Sequence, residues 1–289
     1  MLKRLIALLF VLLLAPARAH AEGLTDVTPA EDGLPRCVFD GVAHSFLLAL
    51  PETAEGAPLV LMLHGYGGTA ESFRLDTGFD RAATARGYAV AFVTGAPDPG
   101  DRTSATGWNF GEGSPEKRDT AFLCALADTL VREYGLDGDR VFAVGFSNGA
   151  FMAHRLALET DGVFAAVVSV AGTAAESVWE NRPGSLHVGL LQITGEKDGV
   201  VPRHSDGSAR YAKSPAIEDV IAYCAAANGL DKMDSVSIGE SSVLTKYSSD
   251  DSDRRVWHAL ITGGRHSWDA ERITGVNTNE LILSFLDTQ

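Results

Sequence analysis

The chain has 289 residues, 45% of them apolar, and 24 basic against 38 acidic side chains give a net charge of −14. That length can bury a sizeable core. The acidic surplus argues against binding DNA or RNA through phosphates and disfavours polyanionic substrates.

In chain order, Lys3 and Arg4 precede an unbroken apolar run from Leu5 to Ala15, and Ala19-His20-Ala21 has the small-x-small form of a cleavage site. The run is too short to span a bilayer comfortably. Residues 1–21 therefore predict a signal peptide, and the mature protein is expected to be secreted or periplasmic and to begin at Glu22. Lys3, Arg4 and Arg18 leave with the signal, which leaves 268 residues and a charge of −17. No later segment reads as a membrane span.

RCVFDGVAHSFLLALP (36–51) places Asp40-Gly41 between two strand-like runs, a hairpin signal. PLVLMLHG (58–65) and YAVAFVTGAP (88–97) are continuous apolar runs, as expected of strands covered on both faces. Between them FDRAATARG (79–87) reads as a short helix. Residues 115–135 open with proline and acid and stop at Gly135, which marks a second helix. Residues 140–146, 163–172 and 187–195 predict three more strands, 214–229 a helix, 254–264 a last strand and 277–288 a closing helix. SSDDSD (248–253) reads as a solvated turn. This alternation predicts an α/β fold, a doubly wound, mostly parallel sheet with an N-terminal antiparallel hairpin, in a single domain over residues 22–289. Of the three cysteines, Cys37, Cys124 and Cys224, an exported protein is expected to pair two and leave one free, with the pairing open. Cys124, in a predicted helix, reads as a small buried apolar residue.

VFAVGFSNGAFM (141–152) raises the functional question. A Gly-x-Ser-x-Gly pentad is weak alone, but here a predicted strand precedes it and a helical pattern follows, the context of a nucleophile elbow. A strained turn would hold Ser147 up for attack, and glycines two residues away on either side would avoid clashes. The partners of such a serine follow in the order acid, then histidine, at the carboxyl ends of later strands. Asp198, in the polar loop GEKDGVVP, is the candidate acid, with Glu196 the runner-up. His266, in TGGRHSWD just past the last strand, is the candidate base. His204 lies only six residues beyond Asp198, and His258 sits mid-strand. The two oxyanion donors are expected from the backbone N–H of Asn148 and of Tyr66 in His64-Gly65-Tyr66-Gly67-Gly68, with Gly65 the alternative. His64 is expected to shape that loop and His154 to pack. Trp108, Trp179 and Trp268 are candidate substrate-stacking residues, Trp108 and Trp268 foremost, with core packing or interface cover the competing reading.

LVLMLHGYGG, GWNFG (107–111), DRVFAVGFSNGAFMAHRLALE and GGRHSWDA resemble the corresponding segments of secreted α/β-hydrolase esterases of the polyhydroxybutyrate depolymerase-like and feruloyl esterase-like group. They span residues 58 to 270. The resemblance implies the same triad, Ser147, Asp198 and His266. It also shows departures. Where the group commonly reads Gly-Gly-Gly-His-x-Trp-Pro, this chain has GGRHSWD, which brings Arg265 and Asp269 beside the base, and Ala150 follows the elbow in place of glycine. The expected function is hydrolysis of carboxylic esters, feruloyl, acetyl or hydroxyalkanoate, through an acyl-enzyme; a serine peptidase or an acyltransferase of the same fold is the alternative. The expected partner is a small-molecule or oligosaccharide ester. No H-E-x-x-H, Walker A or G-x-G-x-x-G pattern occurs, so this reading calls for no metal and no cofactor.

Overall fold

The computed structural model describes residues 24–28, 35–99, 102–113, 115, 117–204, 214–269 and 271–289, so the predicted signal peptide lies outside the described residues. Its first half runs β1 (Leu24–Thr28), β2 (Arg36–Phe39), β3 (Val42–Ala49), β4 (Pro58–Leu63), α1 (Ala70–Thr77), α2 (Phe79–Ala85), β5 (Ala89–Thr94), α3 (Asp119–Tyr134) and β6 (Asp137–Phe146). The second half runs α4 (Asn148–Glu159), β7 (Ala166–Val170), α5 (Glu176–Glu180), β8 (Gly189–Gly195), α6 (Ile217–Ala227), β9 (Lys232–Ile238), β10 (Ser242–Ser248), β11 (Val256–Ile261), α7 (Glu271–Thr274) and α8 (Thr278–Leu286).

The strands form one sheet in the order β1-β2-β3-β5-β4-β6-β7-β8-β11-β10-β9. The pairs from β5 through β11 are parallel, and every residue of β4, β7 and β8 is buried, which is why these strands are predominantly apolar, with Ser169, Gln192 and Thr194 as buried polar exceptions. The pairs outside them are antiparallel. Asp40 (φ 49°) and Gly41 (φ 79°) both take left-handed backbone, so the predicted hairpin turn between β2 and β3 is present.

Apolar side chains of α3, α4 and α6 pack on one face of the sheet, and those of α1, α2 and α8 on the other. The sheet is therefore covered on both sides, as a doubly wound α/β sheet requires. The chain passes from β4 to β5 on one side, then crosses back to place β6 on the other side of β4. This reversal opens a crevice at the carboxyl ends of β4 and β6.

Beside the short elements β1, α5 and α7, which the sequence did not predict, two larger features depart from the sequence expectation. A second antiparallel hairpin, β9–β10, extends the far edge; β9 is exposed along almost its whole length, so it carries no apolar alternation to reveal it. Helix α1 was hidden by low apolar content: it buries only Ala70, Phe73 and Thr77, and its start is fixed by a reciprocal Thr69–Ser72 capping box. The expected disulfide is corrected as well. All three cysteines are free; Cys37 and Cys224 are buried core residues and Cys124 packs against the same core. Burial pushes the thiols of Cys37 and Cys124 up to about 11 and that of Cys224 to about 12, so they behave as inert apolar groups. Among the described residues no helix is long and apolar enough to cross a membrane.

Burial also holds His44, His64, His154 and His258 down at about 4, from an ordinary 6.5. Between those values the unfolded chain binds more protons than the folded one. Their stabilising contribution is thus complete above pH 6.5 and is lost as pH falls toward 4, with a slope of up to about 1.4 kcal/mol per pH unit for each histidine. Melting curves from about pH 7 to about pH 4.5 should show Tm declining steadily, and His154→Gln should flatten the decline. A Tm independent of pH over that range would contradict the burial argument.

Candidate active site

β6 ends in the tight turn Gly145-Phe146-Ser147, and α4 begins at the next residue. Ser147 adopts φ 52°, ψ −115°, a backbone conformation that costs a non-glycine residue about 1–3 kcal/mol. Its N–H donates to Val170 O (2.9 Å), and its carbonyl accepts from Ala150 N (2.9 Å) and Phe151 N (3.1 Å). The flanking glycines are sterically required. A Cβ on Gly145 would lie 2.0 Å from Gly149 O, and one on Gly149 would lie 2.1 Å from Leu63 O. Ala150 packs against Gly172, where an added Cβ would come within 2.4 Å of the Ala150 methyl.

The structure brings Ser147, His266 and Asp198 into one relay. His266 Nε2 lies 2.9 Å from Ser147 Oγ, and His266 Nδ1 lies 2.9 Å from Asp198 Oδ2. Carboxylate oxygens accept, so Nδ1–H donates to Asp198 and Nε2 is left to accept from the serine hydroxyl. Asp198 Oδ1 is fixed by the N–H groups of Val200 (2.8 Å) and Val201 (2.9 Å), and its side chain is only 2% exposed. Glu196 is exposed and accepts instead from Gly263 N (2.9 Å). The loops after β8 and β11 are joined directly, through Glu196 N to Ile261 O (3.0 Å) and Lys197 N to Gly264 O (2.7 Å). That backbone seam is what carries Asp198 and His266 to the same place.

The other histidines stand apart from this relay. His204 is exposed and 3.5 Å from Glu218, His258 in β11 reaches Thr194 Oγ1 (3.2 Å), and His154 is buried against Gln192 (3.0 Å). His64 donates through Nδ1 to Gly65 O (2.7 Å) and accepts from Gly95 N through Nε2 (2.9 Å), so it shapes the loop after β4. Trp268 is 8% exposed, stands edge-on to Phe73 and Phe146, and donates to Asn279 Oδ1 (3.0 Å). It anchors the histidine loop to the core. Arg265 and Asp269 are both exposed on that loop.

Tyr66 and Asn148 both border the crevice. Asn148 is the first residue of α4, where N–H groups have no intrahelical acceptor. Beside them lies a cleft of about 140 Å³ whose lining includes Tyr66, Asp98, Gly107, Trp108, Phe110, Glu112, Lys117 and Asn148. Trp108 presents only 4% of its surface; its ring nitrogen donates to His64 O (3.0 Å) and its backbone N–H to Asn148 Oδ1 (2.7 Å). Sequence reasoning missed Lys117 and Asp119, a buried ion pair (3.3 Å) behind this wall, because charged residues at a helix start read as ordinary capping. Burial pushes the Asp119 carboxyl up, against the opposing pull of Lys117.

A strained serine between a parallel strand and a helix, at the crevice of a doubly wound sheet, defines an α/β hydrolase. Solved structures of the same architecture include an acetyl xylan esterase from Aspergillus awamori (TM-score 0.58, 14% identity, 85% of this chain and 94% of that one). Another is an S-formylglutathione hydrolase from Agrobacterium tumefaciens (TM-score 0.59, 13% identity, 92% and 99%). The family model "Esterase PHB depolymerase" matches residues 44–180. "Putative esterase NocK" of Nocardia uniformis subsp. tsuyamanensis is 34% identical over 245 residues, 75% of this chain and 67% of that protein. The chain belongs to the esterase PHB depolymerase family of carboxylic ester hydrolases. It is also similar to acetylxylan esterase A of Emericella nidulans, at 24% identity over 45% of this chain and 42% of that protein. It matches feruloyl esterase B of Piromyces equi at 26% identity, over 51% of this chain and 27% of that protein. The chain thus spans less than half the length of these two relatives.

Gly149→Ala should destabilise the protein by about 3 kcal/mol or more, because the new methyl meets main chain on β4 that cannot move aside. Denaturant unfolding measures this; a variant as stable as the parent would contradict the close approach.

Proposed function

We propose that the protein is an exported serine esterase in which Ser147, His266 and Asp198 act as a catalytic triad. The observation that carries the reading is the unbroken relay from Asp198 Oδ2 through His266 to Ser147 Oγ, with 2.9 Å at each step. Ser147 Oγ attacks the ester carbonyl carbon while His266 Nε2 takes its proton. The tetrahedral oxyanion is bound by the N–H groups of Tyr66 and Asn148. His266 then gives the proton to the departing alcohol, and the same base activates water to release the acid from the acyl-enzyme. Asp198 keeps the imidazole in the acting tautomer and stabilises the imidazolium.

The cleft beside the two oxyanion residues supports short acyl groups. Its volume of about 140 Å³ is well below the roughly 300–1,000 Å³ of pockets that enclose drug-sized ligands. Tyr66, 56% exposed, offers an aromatic surface at the mouth for an aryl or sugar portion that remains outside. Soluble short-chain or aryl esters and esterified oligosaccharides are therefore the substrate class proposed. The names of the acetylxylan and feruloyl esterase relatives agree with that class. Export rests on the predicted signal of residues 1–21.

Ser147→Ala should lower ester turnover on the order of a thousandfold or more while the protein stays folded. Asp198→Asn should lower kcat far more than it alters KM, and Glu196→Gln should do neither. Steady-state assays on the purified variants decide this; substantial turnover by Ser147→Ala, or a larger loss in Glu196→Gln, would refute the assignment. At equal enzyme, p-nitrophenyl acetate, methyl ferulate and an acetylated oligosaccharide should each be hydrolysed faster than a polyhydroxybutyrate film. Fastest release from the film would overturn the substrate class.

A further inference from the structure

We propose that the buried Lys117–Asp119 pair and the Asn148 side chain are positioning residues for the oxyanion hole, acting through the strap formed by residues 106–109. This rests on the serine-esterase reading above.

The two proposed donors lie on separate elements. Tyr66 belongs to the loop after β4, and Asn148 opens α4 after β6. Their relative placement must match one oxygen, to well under an ångström. The strap is bonded to both sides. Toward the loop, Thr106 O accepts from Gly67 N (2.7 Å), Thr106 Oγ1 donates to Gly68 O (2.5 Å) and Trp108 Nε1 donates to His64 O (3.0 Å). Toward α4, Asn148 Oδ1 accepts from Trp108 N (2.7 Å) and Asn148 Nδ2 donates to Trp108 O (3.4 Å). Gly107 is wedged between the two: a Cβ there would lie 3.2 Å from Asn148 Oδ1 and 3.3 Å from Tyr66 Cδ2.

The strap is also secured from behind. Lys117 Nζ donates to Gly107 O, Asp119 Oδ2 accepts from Asn109 N (2.6 Å), and Arg155 of α4 donates to Asn109 O (2.7 Å). Lys117 and Asp119 are 3.3 Å apart, with side chains 7% and 2% exposed. A buried pair of this kind is weak as a source of stability, since desolvation offsets much of the attraction. Its geometry answers another need: each member grips a different peptide group of the strap, and each neutralises the other where water cannot.

Lys117→Met removes the donor to Gly107 and keeps a buried chain of similar length. On p-nitrophenyl acetate it should lower kcat about tenfold or more with KM within about twofold. The affinity for an arylboronic acid, which forms a tetrahedral adduct on Ser147 Oγ, should fall by a similar factor. A role in stability alone would lower Tm and leave both unchanged. If Lys117→Met does not fold, Asn148→Ala carries the same readouts, because it removes the amide bracket but keeps the helix N–H. A folded variant with parental kcat, or one with reduced kcat and parental boronate affinity, would overturn the proposal. Ser147→Ala is assayed beside them. Activity in that variant refutes the serine reading and this inference together; an inactive Ser147→Ala beside a fully active Lys117→Met refutes the positioning role alone.

Discussion

The site depends on a single unfavourable backbone conformation, the left-handed turn at Ser147. A serine does not adopt φ 52°, ψ −115° unless its surroundings leave no alternative. Here β6 lies between β4 and β7 in the parallel sheet, which fixes the strand before the turn. Helix α4 is locked by core side chains such as Phe151, Met152 and Leu156, which fixes the chain after it. The bond from Ser147 N to Val170 O ties the turn itself to the neighbouring strand end. Gly145 and Gly149 let strand, helix and β4 main chain approach within distances no side chain would allow. The strain is therefore supported by ordinary hydrophobic burial on both sides of the turn.

From that fixed point the rest of the relay is delivered by loops. The segments after β8 and β11 leave adjacent parallel strands and bond to one another through main chain, so Asp198 and His266 meet although 68 residues separate them. Trp268, two residues past the histidine, sinks into the core and gives its loop a rigid footing. A histidine held at a fixed distance on a loop needs such a footing, because the loop by itself has no packing to define the imidazole position. The second ordered segment is the strap 106–109, also a loop, and also secured by a buried tryptophan, Trp108.

Family membership and fold likeness speak to different levels. The sheet and its two helix layers are common to structures sharing as little as 13% of their sequence, including an S-formylglutathione hydrolase. Such likeness specifies architecture, while substrate choice resides in the loops that line the cleft. In this chain those loops contribute Tyr66, Asp98, Trp108, Phe110 and Glu112 around a cleft of about 140 Å³.

Much of this was legible in the residues. Parallel strands buried on both faces are predominantly apolar, so β4, β5, β7 and β8 announced themselves, and glycine or proline marked the ends of α3 and α6. The order serine, acid, histidine at strand ends follows from the topology of the sheet, so Ser147, Asp198 and His266 could be picked before any distance was known. The exposed strand β9, the half-buried β10 beside it and the polar helix α1 could not be read, because none has a sustained apolar pattern and all take their place from neighbours. The cysteines looked like disulfide partners because composition and a predicted signal sequence speak only of compartment, whereas pairing is a matter of distance. Trp108 and Trp268 could equally have been surface platforms; only packing shows their rings turned inward. The buried Lys117–Asp119 pair was likewise beyond the sequence. Two opposite charges at a helix start look like solvent-facing residues, and only the folding of residues 106–109 over them takes their water away.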